Sequence, residues 1–150
     1  MKFGEKPISK CIGDLLVHSV KLPDGKLPKG TSLSKAHIQK LRSVGITSLL
    51  VASLEEGDVD ENLAAKLLSN AFKKIGFQLS VPATGRVNFI AEKLSIARLD
   101  VEKIKRLNEI DEAITFATVL PDQLLVKGQM LATLKIIPYA VSQNSIDEAL

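Results

Sequence analysis

Along the 150-residue chain the spacing of apolar positions switches repeatedly between two, as in a half-buried strand, and three to four, as in an amphipathic helix. Leu16 to Leu22 reads as a β segment, and Pro23-Asp24-Gly25-Lys26 as the turn of a hairpin that returns through Leu27. The pattern then predicts a helix over 35–44: Ser34 is placed to cap it, Leu33 and Ile38 to staple its entry, and Gly45 to stop it. Ile38, Leu41 and Val44 form its inward stripe, and 46–52 follows as a short buried strand. The acidic stretch 55–61 is a connection ending in an N-cap. It leads into a helix over 61–75, with Leu63, Ala64, Leu67, Leu68, Ala71, Phe72 and Ile75 on its apolar face and Gly76 at its end.

The second half is richer in strands. Phe77, Leu79 and Val81 alternate with polar residues up to Pro82, and 87–91 is assigned to a strand although Val87, Ile90, Ala91 and Leu94 also fit a helical stripe. A short strand over 95–99 precedes a helix over 101–109, capped by Asp100 and with Val101, Ile104 and Leu107 inward. The clean alternation of 113–119 predicts a central strand. After Leu124-Leu125-Val126 comes a long apolar strand over 130–137, stopped by Pro138, that is expected to expose an edge. Residues 142–150 read as a linker towards a further domain, although they also begin an amphipathic pattern.

The sum is an α+β fold, mixed and mainly antiparallel, with about three helices in two small lobes; a barrel-like or β-clip-like sheet is the alternative. The divisions expected are 1–54, a hairpin-helix-strand unit, 55–141, a helix plus antiparallel strands, and 142–150. One piece recurs: Leu22-Pro23-Asp24 to Leu33 aligns with Leu120-Pro121-Asp122 to Leu131, identical at the Leu, Pro, Asp, inner Leu, Lys, Gly and final Leu positions. A shared hairpin geometry accounts for the match without a duplicated domain.

Composition narrows the chemistry. A hydrophobic content of 45% suits one ordinary core, and the lone Cys11 excludes an internal disulfide, so a reducing, cytoplasmic setting is expected. No apolar run is long enough for a membrane span. Lys and Arg outnumber Asp and Glu by 9 to 3 in residues 1–50 but fall behind, 11 to 14, in the remainder. With 4% aromatics and no Trp, nucleic acid is not an expected partner. Gly25 to Ser32 is superficially like a phosphate-binding P-loop, but Thr31 stands where the lysine is needed and Pro28 removes an amide. His18 and His37 are the only histidines, too few for an acid–base or metal set, and the neighbouring Asp111 and Glu112 point to opposite sides of an extended chain.

The polar candidate is Pro82 to Asn88. The Thr84 hydroxyl, the Gly85 amide, the Arg86 guanidinium and the Asn88 amide together offer the donors that a phosphate or carboxylate needs. The competing reading is a plain turn at Gly85, with Arg86 paired to a structural carboxylate.

Thr84 to Asn88, Ile110 to Thr118 and Ala132 to Val141 resemble the amino-terminal region of bacterial molybdopterin-binding proteins of molybdenum-cofactor biosynthesis, some of them fused to a nucleotidyltransferase. The resemblance covers nearly the whole chain, and its most specific piece is Lys135-Ile136-Ile137-Pro138. It implies a non-catalytic domain that presents or dimerises a downstream molybdopterin-binding domain. The cofactor, molybdopterin, would then belong to the parent protein, a cofactor-biosynthesis transferase, rather than to this segment alone. A homodimer is expected, through the edge of 130–137 or through exchanged hairpins. Residues 12–52 also resemble a small module found ahead of cyclic-dinucleotide phosphodiesterase domains, without the metal-binding His-Asp pattern of those enzymes.

Overall fold

The computed structural model describes residues 1–72 and 76–150. The chain is α+β, with small antiparallel sheets, none of which closes into a barrel among the described residues. It divides into two compact units, Met1–Glu56 and Gly57–Leu150.

The first unit is built on a three-stranded sheet in the order β1 (Lys2–Pro7), β5 (Ser48–Ser53), β2 (Leu15–Leu16). The short hairpin β3 (Val20–Leu22) and β4 (Gly25–Leu27) and the helix α1 (Lys35–Ser43) complete it. Ser34 caps α1 as expected: its hydroxyl accepts from the His37 amide at 3.2 Å, and the His37 ring accepts in return from the Ser34 amide at 3.3 Å. Ile38 and Leu41 face a core of Ile8, Cys11, Leu16, Leu33 and Val51, whereas Val44 is exposed. Burial is the main cause that raises the Cys11 thiol above its ordinary pKa, with the Asp14 carboxylate adding to it.

Strand β1 has no strong strand pattern of its own. Pairing with β5 from Lys2↔Ser53 to Pro7↔Ser48 makes it one.

The second unit holds a four-stranded sheet in the order β10 (Ile114–Thr118), β12 (Met130–Ile136), β8 (Arg86–Ala91), β7 (Phe77–Leu79). Strand β6 (Asp58–Asp60) pairs with β13 (Ala140–Ser142), and β9 (Ser95–Ile96) with β11 (Leu124–Leu125). Three helices, α2 (Glu61–Ala71), α3 (Val101–Ile110) and α4 (Gln143–Ala149), belong to this unit. Phe89 and Phe116 meet edge to face at 5.2 Å, and Phe72 stacks on Phe116 at 4.8 Å, so one aromatic cluster centres the core.

Several expectations change. Strand β12 is not an edge: it lies between β10 and β8, and β10, expected at the centre, is the edge. Self-association through an exposed 130–137 edge is therefore ruled out by the pairing. The β10 edge is itself covered in part, because the Asn108 side chain accepts from the Phe116 amide at 2.7 Å and donates to its carbonyl at 3.0 Å, as a neighbouring strand would.

Residues 142–150 do not form a linker. Ser142 ends β13 and caps α4, whose Ile146 is fully buried in the core. The acidic stretch expected as a connection contains β6.

On α2 the buried line is Ala64, Ala65 and Leu68, so Leu63 and Leu67 are left exposed, and the expected continuation to Ile75 lies outside the described residues. On α3 Val101 is exposed, while Ile104 and Leu107 are half-buried against the core.

The recurring piece adopts one geometry twice. At Pro28-Lys29-Gly30-Thr31 the Thr31 amide donates to the Pro28 carbonyl, and at Val126-Lys127-Gly128-Gln129 the Gln129 amide donates to Val126. Both glycines are left-handed, at φ 78° and 85°. Gly30 and Thr31 then bracket Leu16 with reciprocal backbone hydrogen bonds of 2.7 and 3.0 Å, as Gly128 and Gln129 bracket Ala91 at 2.8 and 2.9 Å. Leu27 and Leu125 are the buried anchors.

Candidate functional site

The stretch around Arg86 begins as a hairpin turn. Ala83 and Arg86 exchange two backbone hydrogen bonds of 3.0 Å, and the two residues between them have positive φ, 48° at Thr84 and 70° at Gly85. That is the two-residue loop whose twist matches antiparallel strands. Gly85 is required for a second reason: a Cβ there would stand 2.7 Å from both the Ile136 carbonyl oxygen and Glu61 Oε2.

The turn is tied down by groups the sequence did not connect to it. The Gly85 amide donates to Asn62 Oδ1 at 3.0 Å, and its carbonyl accepts from the Ile136 amide at 2.8 Å. The Thr84 hydroxyl donates to the Ala83 carbonyl at 2.8 Å. Lys135 Nζ donates to the Thr84 carbonyl and stands 3.5 Å from Glu61 Oε2. Glu61 is buried at the start of α2, and its amide donates to the Tyr139 carbonyl at 2.9 Å. Burial raises the Tyr139 phenol above its ordinary pKa, and the Glu61 charge adds to that rise.

Of the four residues expected to hold an anion, Gly85 thus has its amide committed to Asn62, and Thr84, exposed, has its hydroxyl bonded to the neighbouring Ala83 carbonyl. Arg86 and Asn88 differ. They lie two positions apart on β8, so both stand on the face opposite the buried Val87 and Phe89. Arg86 pairs across the ladder with Lys135, and Asn88 with Thr133. The Thr133 hydroxyl donates to Asn88 Oδ1 at 2.9 Å, which leaves the Asn88 amide nitrogen without an acceptor among the described residues. Arg86 is exposed and likewise has no carboxylate partner among them, so the structural ion pair expected as the competing reading is not present there. Thr115, opposite Lys135 on β10, extends the row.

This outer face is therefore a polar strip with two cations side by side. Like charges directly opposite on neighbouring strands are unfavourable by a few tenths of a kcal/mol, roughly, unless a counter-charge joins them. Glu61 supplies that for Lys135 but not for Arg86.

The chemistry available here is recognition of an anion by charge and hydrogen bonds. The second unit has no His and no Cys. Among the described residues no group of three or more His, Cys, Asp or Glu could hold a metal ion. A recess of about 500 Å³ opens on the other side of the sheet, over Phe72, Phe77, Phe89 and Phe116 and beside Ile104 and Leu107 of α3. It shares no residue with the polar strip.

Lys135 and Thr133 had a legible signal, the polar odd positions among apolar Ala132, Leu134 and Ile136; Glu61 and Asn62 read only as a helix start. No helix among the described residues is long and apolar enough to cross a membrane. Comparison with protein-family models, with curated proteins and with solved structures finds no match to the chain.

Proposed function

We propose that the chain is a non-catalytic module of a molybdopterin-handling protein of cofactor biosynthesis, which presents a downstream cofactor-binding domain and leaves the pterin to that domain. One observation carries this reading: the three segments that resemble that family come together. Thr84 to Asn88 runs into β8, Ile110 to Thr118 into β10, and Ala132 to Val141 into β12 and β13, and β10, β12 and β8 are neighbours in one sheet. Their shared outer face, with Arg86, Asn88, Thr133 and Lys135, is the surface offered to the partner domain. Isothermal titration of the 150-residue chain with molybdopterin is expected to show no heat of binding. Tight binding by this chain alone would overturn the division of labour.

The uncommitted Arg86 and Asn88 donors favour a second reading, an independent anion- or nucleotide-binding sensory module. Under it, pyrophosphate or ATP binds the chain, and Arg86→Ala weakens that binding by roughly tenfold or more. Binding that is unchanged in Arg86→Ala disposes of it.

A further inference from the structure

The four-stranded sheet of the second unit has two edges, β10 and β7, and they are finished differently. On β10 the Asn108 side chain occupies both backbone groups of Phe116. On β7 nothing does the same. The Ser80 amide donates to the Asn88 carbonyl at 2.9 Å and the Glu92 amide to the Gly76 carbonyl at 3.1 Å, and Gln78 lies opposite Ile90 between them, so positions 76, 78 and 80 face β8. An antiparallel ladder alternates. The amides and carbonyls of Phe77 and Leu79 therefore point the other way, out of the sheet, where they have no partner among the described residues.

The edges of the first unit's sheet carry safeguards. Strand β1 bears Lys2, Glu5, Lys6 and Pro7, and β2 is closed by Gly30 and Thr31 at Leu16. Strand β7 reads Phe77-Gln78-Leu79, with no charge and no proline, and its pairing with β8 has no bulge. An open row of alternating donors and acceptors is completed by one kind of partner, an extended strand. The strand's own sequence says which. Turned about a twofold axis at Gln78, a second β7 sets Phe77 opposite Leu79 on both sides of the axis, so that their free groups form four backbone hydrogen bonds. The side chains agree with that register. Phe77 and Leu79, half-buried on the core face, come to lie side by side, and the exposed Gln78 meets its own copy on the outer face, where one side-chain amide can donate to the other. Identical strands pair here without setting like charges together, and β7 offers a foreign strand no charge to recognise.

We propose that the β7 edge is a self-association site, at which two copies of this chain pair antiparallel, Gln78 against Gln78, and join their four-stranded sheets into one. The proposal does not rest on the function argued above. Three residues per strand make less than the roughly 800 Å² per partner of a standard interface, so the dimer is weak and reversible.

Sedimentation velocity over micromolar to millimolar loading tests it. The wild-type chain is expected to sediment faster as concentration rises. Leu79→Pro removes an outward N–H that the monomer does not use, a place where an edge strand accepts proline, and is expected to stay monomeric; circular dichroism checks its fold. Gln78→Lys and Gln78→Glu, at an exposed position, each set like charges opposite one another and weaken association roughly two- to fivefold, whereas their equimolar mixture regains at least the wild-type association through mixed dimers. A wild-type chain that remains monomeric at millimolar concentration overturns the proposal. So does association that Leu79→Pro leaves unchanged, or a mixture that associates no better than either Gln78 variant alone.

Discussion

The turn at Pro28-Lys29-Gly30-Thr31 and the turn at Val126-Lys127-Gly128-Gln129 share their backbone hydrogen bonds, their left-handed glycine and their buried leucine, yet face solvent with opposite chemistry. In the first unit the outward cross-strand pair is Lys21 and Lys26; in the second it is Ile96 and Leu124. The inward leucine and the glycine are what the turn needs, so they recur. The outward pair is free to vary, because neither the turn nor the core beneath it touches those side chains.

The equivalence of the anchors can be broken most visibly at the leucines themselves. Leu27→Ala and Leu125→Ala each remove a buried side chain from beneath the same turn, and each is expected to cost about 2–4 kcal/mol in urea unfolding. If one proves nearly silent, the motif is anchored in only one unit. A smaller loss, about 1–2 kcal/mol, is expected for Gly128→Ala, since open space surrounds the new Cβ and only the left-handed backbone resists it. Gly85→Ala sharpens the contrast, because its Cβ would meet a backbone oxygen at 2.7 Å as well as the strained φ, and should cost clearly more than Gly128→Ala. Equal losses would mean that the sheet gives way at Ile136.

Near the bottom of the scale lies Arg86→Ala. With no partner to lose among the described residues, it should change stability by no more than about 0.5 kcal/mol. A loss of 2 kcal/mol or so would mean that Arg86 holds a structural contact, and the case for an open recognition strip would fall.

Local punctuation carried most of what the sequence made legible. Ser34 and Asp100 each set a helix start that the structure keeps, and the Pro23-Asp24 hairpin closes where the turn residues place it. What was not legible is non-local. Nothing in 130–137 states that β10 and β8 flank it, so an apolar strand looked like an edge. Lys2–Pro7 becomes a strand only through its partner β5, and 142–150 becomes a helix only because the core accepts Ile146. By sequence the Thr84-Gly85 pair offers donors free to act. Asn62, and the neighbours Lys135 and Ile136, from two distant places in the chain, tie the turn internally while Arg86 and Asn88 remain outward.

The smallest expected effect concerns the aspartate that both copies carry after their proline. Asp24 accepts from Lys40 Nζ at 2.8 Å and Asp122 from Arg98 at 2.6 Å, so each copy draws a cation from outside itself. The hydrogen bond from Lys40 is the main cause that lowers the Asp24 carboxyl below its ordinary pKa, and the Lys40 charge adds to it. A carboxyl held low in the folded state stabilises the fold above its unfolded pKa, and that contribution disappears as pH falls through the lowered value. At neutral pH the pair is fully formed, and only acid titration reveals it. Because both groups are well exposed, salt screens the pair, and its effect on unfolding should be hard to measure. Its signature is therefore sought in the titration itself. Carbon-detected NMR of the Asp24 carboxyl is expected to give a midpoint below that of a free aspartate at low salt, moving up in Lys40→Ala. A midpoint unaffected by Lys40→Ala would mean that the turn's own backbone, and not the recruited cation, sets the charge of this aspartate.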